Sequence, residues 1–220
     1  LRLNFCAKRN ICTSISATSE IPKPIKAENQ ALKIILNSII YAKKTDLTNS
    51  TTIYSEIELI NKLVFKLCGI KLTNIETQAE SQDYFAHTFQ LDGQKVQFRT
   101  AKITPTKSGQ FVSIWKRNKQ GITEPFNISD EFDLYIIATR HNQKFGLFIF
   151  SKTILLENKI LSDTKKVGKR GIRVYHTWDE TTNKQAQKTQ HWQTKYFLEI
   201  TQGNQINTAI VRSLCKLNKQ

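Results

Sequence analysis

The side chains of this sequence with the clearest chemical potential are basic and aromatic, and they concentrate in two stretches, 98–117 and 165–178. In the first, two strand-like runs flank a Thr-Pro turn, and strand alternation places Phe111, Trp115 and Arg117 on one face. In the second, a basic run interrupted by glycines leads directly into Tyr175 and Trp178. A guanidinium can bind a phosphate through two hydrogen bonds, and an aromatic ring can stack on a base.

We therefore expect a nucleic-acid surface, and its predicted contact residues are Arg99, Lys102, Lys107, Trp115, Lys116, Arg117, Lys169, Arg170, Arg173, Tyr175 and Trp178. The competing interpretation is a sheet edge with solvated lysines and a core tryptophan. The glycines of the second stretch would let the backbone approach a phosphate, but the Gly-Lys-Ser/Thr ending of a phosphate-binding loop is missing. The nucleic-acid prediction requires the cations of both stretches to converge on one groove in the folded chain.

Metal-dependent cleavage of phosphodiesters is a second kind of chemistry that the sequence allows. It needs acidic ligands for a divalent ion such as Mg²⁺ and a lysine nearby. Asp133 opens an apolar strand, Glu80 is a possible second acid, and Lys102 is a possible base or charge stabiliser. The next apolar strand, 145–150, contains no acid, and the histidines have no metal-ligand spacing. We accordingly expect no cofactor, with Mg²⁺ required only under this nuclease alternative, and we favour a protein that is not an enzyme.

The composition points toward a polyanionic partner. Thirty-three basic and 18 acidic residues give a net charge of +15, and a surplus of this size attracts nucleic acid. No apolar run is long enough to span a bilayer, so a membrane partner is not expected. The four cysteines are scattered without metal-type spacing, which is typical of reduced thiols in a cytoplasmic protein.

The hydrophobic pattern changes from helical to strand-like along the chain. Helical spacing predicts one helix in 27–44, and a second between an N-cap at Ser55 and a stop at Gly69. Strands follow from Ile70, with a hairpin at Asp92-Gly93 and a polar helix over 183–197. The runs 132–139 and 145–151 are apolar on both faces, which is typical of central strands covered on two sides. The pattern predicts an α+β fold with a mixed central β-sheet flanked by helices.

Several separated blocks resemble the MepB-like family of small bacterial cytosolic proteins. The resemblance extends over roughly 54–198, and His176 and Ser151 stand where the family often has proline. The blocks that carry it are Phe98–Arg117, Gly121…Pro125-Phe126, Asp130…Asp133-Leu134, Gly146–Phe150, Gly168-Lys169-Arg170…Arg173-Val174-Tyr175…Trp178 and Thr189-Gln190…Trp192-Gln193…Tyr196-Phe197.

The resemblance implies a restriction-endonuclease-like, three-layer α/β scaffold and an association with nucleic acid, in a family whose activity is not established. The nuclease motif would give Asp133 the acid role, but Leu147-Phe148-Ile149 replaces the acid-x-lysine of the next strand. A degenerate scaffold that kept its basic surface is the simpler expectation. The expected organisation is a tail at 1–26, a helix and linker at 27–52, a MepB-like domain at 53–200 and a C-terminal extension at 201–220.

The sequence thus leaves three functions open. The first is a basic nucleic-acid-binding module, with DNA as the expected partner. The second is a metal-dependent phosphodiesterase that uses Asp133, Glu80 and Lys102. The third is a protein-interaction domain, which would present a contiguous apolar patch instead of a basic groove.

Overall fold

The computed structural model describes residues 56–200 and 206–217. The predicted tail at 1–26 and the predicted helix and linker at 27–52 lie outside these ranges. A helical segment spans 56–68 and includes a π-helical turn at Asn61–Phe65, followed by a 3-10 turn at Lys66–Cys68. The α-helices that follow are α1 (Lys152–Glu157), α2 (Lys184–Gln193) and α3 (Thr208–Leu214). None of the helices in the described ranges is both long and apolar enough to cross a membrane.

Eleven strands form three sheets in the described part of the chain. Their bounds are β1 Leu72–Thr77, β2 His87–Leu91, β3 Gln94–Thr100, β4 Lys102–Thr104, β5 Lys107–Ser113, β6 Trp115–Arg117, β7 Thr123–Pro125, β8 Leu134–His141, β9 Lys144–Ser151, β10 Gly171–Val174 and β11 Phe197–Glu199. The largest sheet has the order β1-β2-β3-β8-β9-β11, a second has the order β10-β5-β4, and β6 pairs with β7 in a short ribbon.

The six-stranded sheet is mixed, because β3 and β8 run parallel while its other neighbours are antiparallel. Its β2–β3 hairpin turns at Asp92 and Gly93, which both have positive φ, as the Asp-Gly pair predicts. The predicted α+β class, with a mixed sheet and flanking helices, is confirmed.

Both faces of the central strands are buried, as their continuous apolar runs predict. Leu134, Ile136 and Ala138 point to one core, which the segment 56–68 and α3 cover. Tyr135 and Ile137 point to a second core, to which the three-stranded sheet contributes Val112, Ile172 and Val174, and to which Ile114 adds its side chain directly after β5. The second layer on this face is therefore partly a small sheet, where the sequence predicted helices alone.

Two predicted strands are each divided in the structure. The run 95–103 splits at Ala101, where the chain leaves the large sheet and continues as β4 in the small one. The run 110–117 splits at Ile114, which is buried and lies between the end of β5 and the start of the ribbon. These two exits carry the basic residues of 102–117 away from the central sheet and onto its outer layer.

Candidate nucleic-acid interface

A row of basic and aromatic side chains crosses the outer face of the three-stranded sheet. The register pairs Phe111 of β5 with Lys102 of β4 on one side and with Arg173 of β10 on the other. Directly paired residues share a face of a sheet, and the alternate residues Val112 and Ile172 point into the core. Lys102 is exposed, and Phe111 and Arg173 are half-buried. Residues from distant parts of the sequence thus form one continuous row.

The β4–β5 hairpin fixes the position of the Arg173 guanidinium. Nη2 donates to Thr104 Oγ1 at 2.6 Å, and Nη1 donates to the Gly109 carbonyl at 3.2 Å. Gly109 has φ +72°, and a Cβ there would lie 2.6 Å from Tyr175 Cδ1, so the Tyr175 ring closes directly over this glycine. We call Lys102, Phe111, Arg173 and Tyr175 the basic sheet face.

The basic sheet face opens into a cleft between β10 and α2, with a volume of about 440 Å³. Arg173 and Tyr175 belong to both surfaces, and the cleft adds the cations Lys169 and Lys188 and the Trp192 ring. None of the described residues that line this β10–α2 cleft is acidic. The predicted residues Lys169, Arg173 and Tyr175 are therefore brought together here.

Gln193 holds α2 along the free edge of β10. Its Nε2 donates to the Arg173 carbonyl at 2.9 Å, and its Oε1 accepts from the Tyr175 backbone N–H at 2.9 Å. Trp192 packs on Phe150 of the core with ring centroids 5.3 Å apart. The wall of the cleft is consequently anchored both to the strand edge and to the core.

Trp192 and Lys188 were missed as candidate site residues, although a signal was present in the sequence. The side chains of α2 that line the cleft recur at the helical spacing i, i+3, i+4 and i+7, and they are Gln185, Lys188, Thr189 and Trp192. Trp192 also packs against the core, so this helix face contributes to both the core and the cleft, and the polar residues of the stripe are the signal for a polar concavity.

A second aromatic ring extends the basic sheet face at the far side of Phe111. Tyr84 meets Phe111 edge to face at 6.0 Å, and Lys102 Nζ lies 5.0 Å from the centroid of the Tyr84 ring. Burial, and then the Asp83 carboxylate, raise the pKa of the Tyr84 phenol. The Tyr84 phenol is therefore neutral near pH 7, and its ring contacts the Lys102 cation without forming an ion pair with it.

The β6–β7 ribbon carries predicted residues whose charges are already engaged. Lys116 Nζ contacts the Asp130 carboxylate and lies 3.3 Å from Glu124 Oε1. Burial lowers the pKa of Lys116, but its hydrogen bonds and attraction to Asp130 and Glu124 outweigh burial and raise that pKa overall. Lys116 is thus a charged partner inside an ion-pair cluster.

Two more predicted cations, Arg117 and Arg170 from the loop before β10, donate to backbone carbonyls of the β6–β7 ribbon. Arg117 donates to the Gly121 carbonyl at 2.8 Å and lies 5.6 Å from the Trp115 ring centroid. Arg170 Nε donates to the Thr123 carbonyl at 3.1 Å, which turns this side chain toward the ribbon although Lys169 lines the cleft. The predicted cations therefore divide between two surfaces.

Two predicted contact residues are placed where they cannot serve as predicted. Arg99 is 1% exposed, and its Nη1 donates to the Phe98 carbonyl at 2.8 Å, so this guanidinium belongs to the core and not to a surface. Trp178 stacks on His176 at 4.5 Å and has Lys144 Nζ 5.3 Å from its ring centroid. These contacts occupy the indole ring that was expected to stack on a base. Lys107 is exposed at the turn of the β4–β5 hairpin, as its predicted role requires.

The proposed acid set of the nuclease alternative is not assembled. Asp133 Oδ2 accepts from the Lys95 backbone N–H at 2.8 Å, at the end where β3 and β8 both begin. Lys102 follows the opposite end of β3, seven residues from Lys95, which corresponds to about 23 Å of extended chain. Glu80 lies in the turn that follows Gln78. The Gln78 N–H donates to the Ala86 carbonyl, which places this turn beside the end of β3 that is far from Asp133. Among the described residues, no group of three His, Cys, Asp or Glu side chains could hold a metal ion.

A hydrogen-bonded pair of side chains fixes the chain directly after Tyr175. His176 is fully buried, and its Nδ1 lies 2.7 Å from Asp179 Oδ2, which also accepts the His176 backbone N–H at 2.8 Å. Burial raises the pKa of Asp179, but the hydrogen bonds from His176, with the charges of His176 and His141, outweigh it and lower that pKa overall. Asp179 thus fixes the exit of β10, on which the position of Tyr175 depends.

Comparisons with known proteins agree with the residue blocks singled out above. The family model described as MepB-like matches residues 78–199, which lie inside the predicted 53–200 domain. A solved structure titled "Crystal Structure of MepB" is 35% identical, with a TM-score of 0.57 over 58% of this chain and 86% of that one. A bacterial homing endonuclease, I-Ssp6803I, is 13% identical with a TM-score of 0.34 over 58% and 79% of the two chains, too low to carry an argument. The search among curated proteins found no match. The family model covers more than half of the sequence and the solved relative is well above 30% identical, so this chain belongs to the MepB-like family.

Proposed function

We propose that this protein is a cytoplasmic nucleic-acid-binding module, with DNA as its partner, and that it binds through the basic sheet face and the β10–α2 cleft. The observation that carries the proposal is the continuous row from Lys102 through Phe111 to Arg173, which leads into a cleft lined by further cations and by no acid among its described residues. The positive potential of such a surface is not cancelled locally, and it therefore attracts phosphates.

The arrangement suits a sugar–phosphate backbone because its cations are held in place before binding. Arg173 is fixed by Thr104 and Gly109, and the Lys169 backbone N–H donates to the Ile160 carbonyl at 2.8 Å. A guanidinium has more N–H donors than these contacts use, so Arg173 can still donate to a phosphate. Side chains that are already ordered lose less conformational entropy on binding.

The family resemblance extends the proposal to a restriction-endonuclease-like scaffold that no longer cleaves. Asp133 is engaged by the Lys95 backbone, and Lys102 lies at the other end of the strands. We therefore expect no Mg²⁺-dependent hydrolysis of bound DNA, and the phosphodiesterase alternative is not favoured. Cleavage of a labelled oligonucleotide by the purified protein with Mg²⁺, abolished in Asp133→Ala, would reverse this choice.

Apolar side chains give little support to a protein-interaction domain. The large hydrophobic residues that are at least half exposed lie in separate elements of the described chain: Leu67 in the helical segment, Ile103 in β4, Ile122 in the turn of the ribbon, Val167 in the loop before β10 and Ile210 in α3. No single helix or strand presents them as a stripe.

Fluorescence anisotropy with labelled DNA over a series of salt concentrations tests the proposal. We expect the affinity of the wild-type protein to fall steeply with salt, because phosphate contacts release counterions. The paired substitution Lys102→Glu and Lys169→Glu should weaken binding about 50-fold at low salt, since two attractive contacts become repulsive.

The matched control is the pair Lys62→Glu and Lys66→Glu, which makes the same change in net charge on the exposed side of the helical segment 56–68. This segment covers the opposite face of the six-stranded sheet. The control pair should weaken binding less than about threefold, through long-range charge alone. An equal loss in both pairs would show that net charge binds DNA without a site, and absence of binding in the wild type would refute the proposal outright.

A further inference from the structure

The β10–α2 cleft has the dimensions and chemistry of a site for one small ligand. Its volume of about 440 Å³ falls within the range of about 300–1,000 Å³ that is usual for small-molecule sites. A DNA duplex is far too wide to enter it. The Tyr175 and Trp192 rings lie among the lining residues, beside the cations Lys169, Arg173 and Lys188.

The wall that carries Lys169 is shaped by close backbone packing. A Cβ on Gly168 would lie 2.4 Å from the Ile160 carbonyl oxygen, and one on Gly171 would lie 2.5 Å from Phe111 Cζ. Ser162 Oγ also accepts the Gly168 N–H at 2.9 Å. These contacts fix the path of the loop before β10, and this path places Lys169 at the mouth of the cleft.

Side-chain amides complete the lining, and they differ in how far they are engaged. Both ends of the Gln193 amide bind the edge of β10. Asn158 Nδ2 donates to the Ile154 carbonyl at 2.9 Å, while Gln185 is exposed at the rim. Asn158 Oδ1 and the Gln185 amide are thus placed to pair with hydrogen-bonding groups on the edge of a base.

We propose that the cleft holds one unpaired nucleotide, with its base against Tyr175 and Trp192 and its phosphate between Lys169, Arg173 and Lys188, so that the protein prefers single-stranded to duplex nucleic acid. This inference rests on the proposed function, because the strand on either side of the held nucleotide follows the basic sheet face. In a duplex, both faces of each base are covered by its neighbours, so an aromatic ring in a narrow cleft has nothing to stack on.

Single strands with a fluorescent adenine analogue, free and annealed to a complement, test the preference and the position of the base. We expect the single strand to bind at least about tenfold tighter than the duplex, and we expect stacking to quench the analogue. Tyr175→Leu should weaken single-strand binding about tenfold and reduce the quenching, with little change for the duplex.

Lys188→Ala is a second variant that leaves the folded core untouched, because Lys188 is exposed on α2. It should weaken single-strand binding about fivefold. Its matched control, Lys184→Ala, removes the same charge from the same helix at a residue that does not line the cleft, and should have almost no effect.

The outcomes separate the inference from the proposed function. Equal affinity for single strand and duplex, with no quenching and no effect of Lys188→Ala, overturns the single-nucleotide site. If the double substitution Lys102→Glu and Lys169→Glu still weakens binding in that case, the proposed function stands without the single-nucleotide site. If neither form of DNA binds, both fail together.

Discussion

Lys102 and Phe111 of the basic sheet face come from the same basic-aromatic stretch of sequence as β6 of the β6–β7 ribbon, yet the charges of the two surfaces are used differently. On the ribbon, Lys116 is held between Glu124 and Asp130, which lie 8 and 14 residues further along the chain. On the basic sheet face, Arg173 binds a hydroxyl and backbone carbonyls and no carboxylate among the described residues, so its charge is not cancelled there. The difference teaches that the density of lysine and arginine in a sequence does not locate a polyanion site. A polyanion site forms where the fold places cations without carboxylates beside them.

The largest expected effect on stability comes from substituting a glycine, and its size should differ between the two regions. Gly109→Ala should lower the free energy of unfolding by about 3 kcal/mol, because the new Cβ would meet both the Tyr175 ring and the Val174 carbonyl at a backbone φ of +72°. Urea unfolding followed by circular dichroism measures this loss.

Gly121→Ala on the ribbon is the matched control. Gly121 has a similar φ of +77°, but no atom lies within 4 Å of the added Cβ. It should cost only about 1 kcal/mol, from backbone strain alone. Equal losses at the two glycines would mean that Tyr175 does not close over Gly109.

The next effect concerns the Asp179–His176 pair that fixes the end of β10. Asp179→Asn should lower the free energy of unfolding near pH 7 by about 2 kcal/mol, because charge-assisted hydrogen bonds to His176 are lost. DNA affinity should fall as well, since Tyr175 precedes His176. Chemical unfolding and anisotropy measure the two quantities.

The pH dependence of this pair has a defined sign. The pKa of Asp179 is lower in the folded protein than its usual value. The unfolded chain therefore binds more protons, and the contribution of Asp179 is complete above about pH 4 and is lost as pH falls through the folded pKa. The stability difference between wild type and Asp179→Asn should shrink below about pH 4. A difference that stays constant down to pH 2 would exclude an ionised Asp179 as its source.

The smallest effect is expected on the ribbon. Lys116→Met keeps the apolar stem and removes the ion pair, so the free energy of unfolding should fall by about 1 kcal/mol. DNA affinity should stay within about twofold of the wild type. A large loss of affinity with unchanged stability would place the interface on the ribbon.

Periodicity and local turn signals were sufficient to predict much of the fold. The Asp92-Gly93 hairpin and the two central strands follow from local physics, because turn conformation and two-sided burial leave clear patterns. The separation of β4 from β3 at Ala101 left no pattern in the sequence, because it depends on which strands pair in the second sheet. The MepB-like resemblance is also confirmed.

The candidate site was predictable only in part, because burial and pairing are properties of the whole fold. Lys169, Arg173 and Tyr175 were predicted and lie together in the β10–α2 cleft. Arg99 was predicted at the surface, but its guanidinium is buried 5.9 Å from the centroid of the Tyr135 ring, which belongs to the second core. The neutralisation of Lys116 by Asp130 could not be read from the sequence, since the two residues meet only after β6 and the loop before β8 pack together.

Hydrogen–deuterium exchange of the wild-type protein, with and without saturating single-stranded DNA, locates the interface without altering the chain. We predict slower exchange in β10 and α2, together with the β4–β5 hairpin, and unchanged exchange in the β6–β7 ribbon. Protection confined to the ribbon, or to the helical segment 56–68 on the opposite face, would contradict the account.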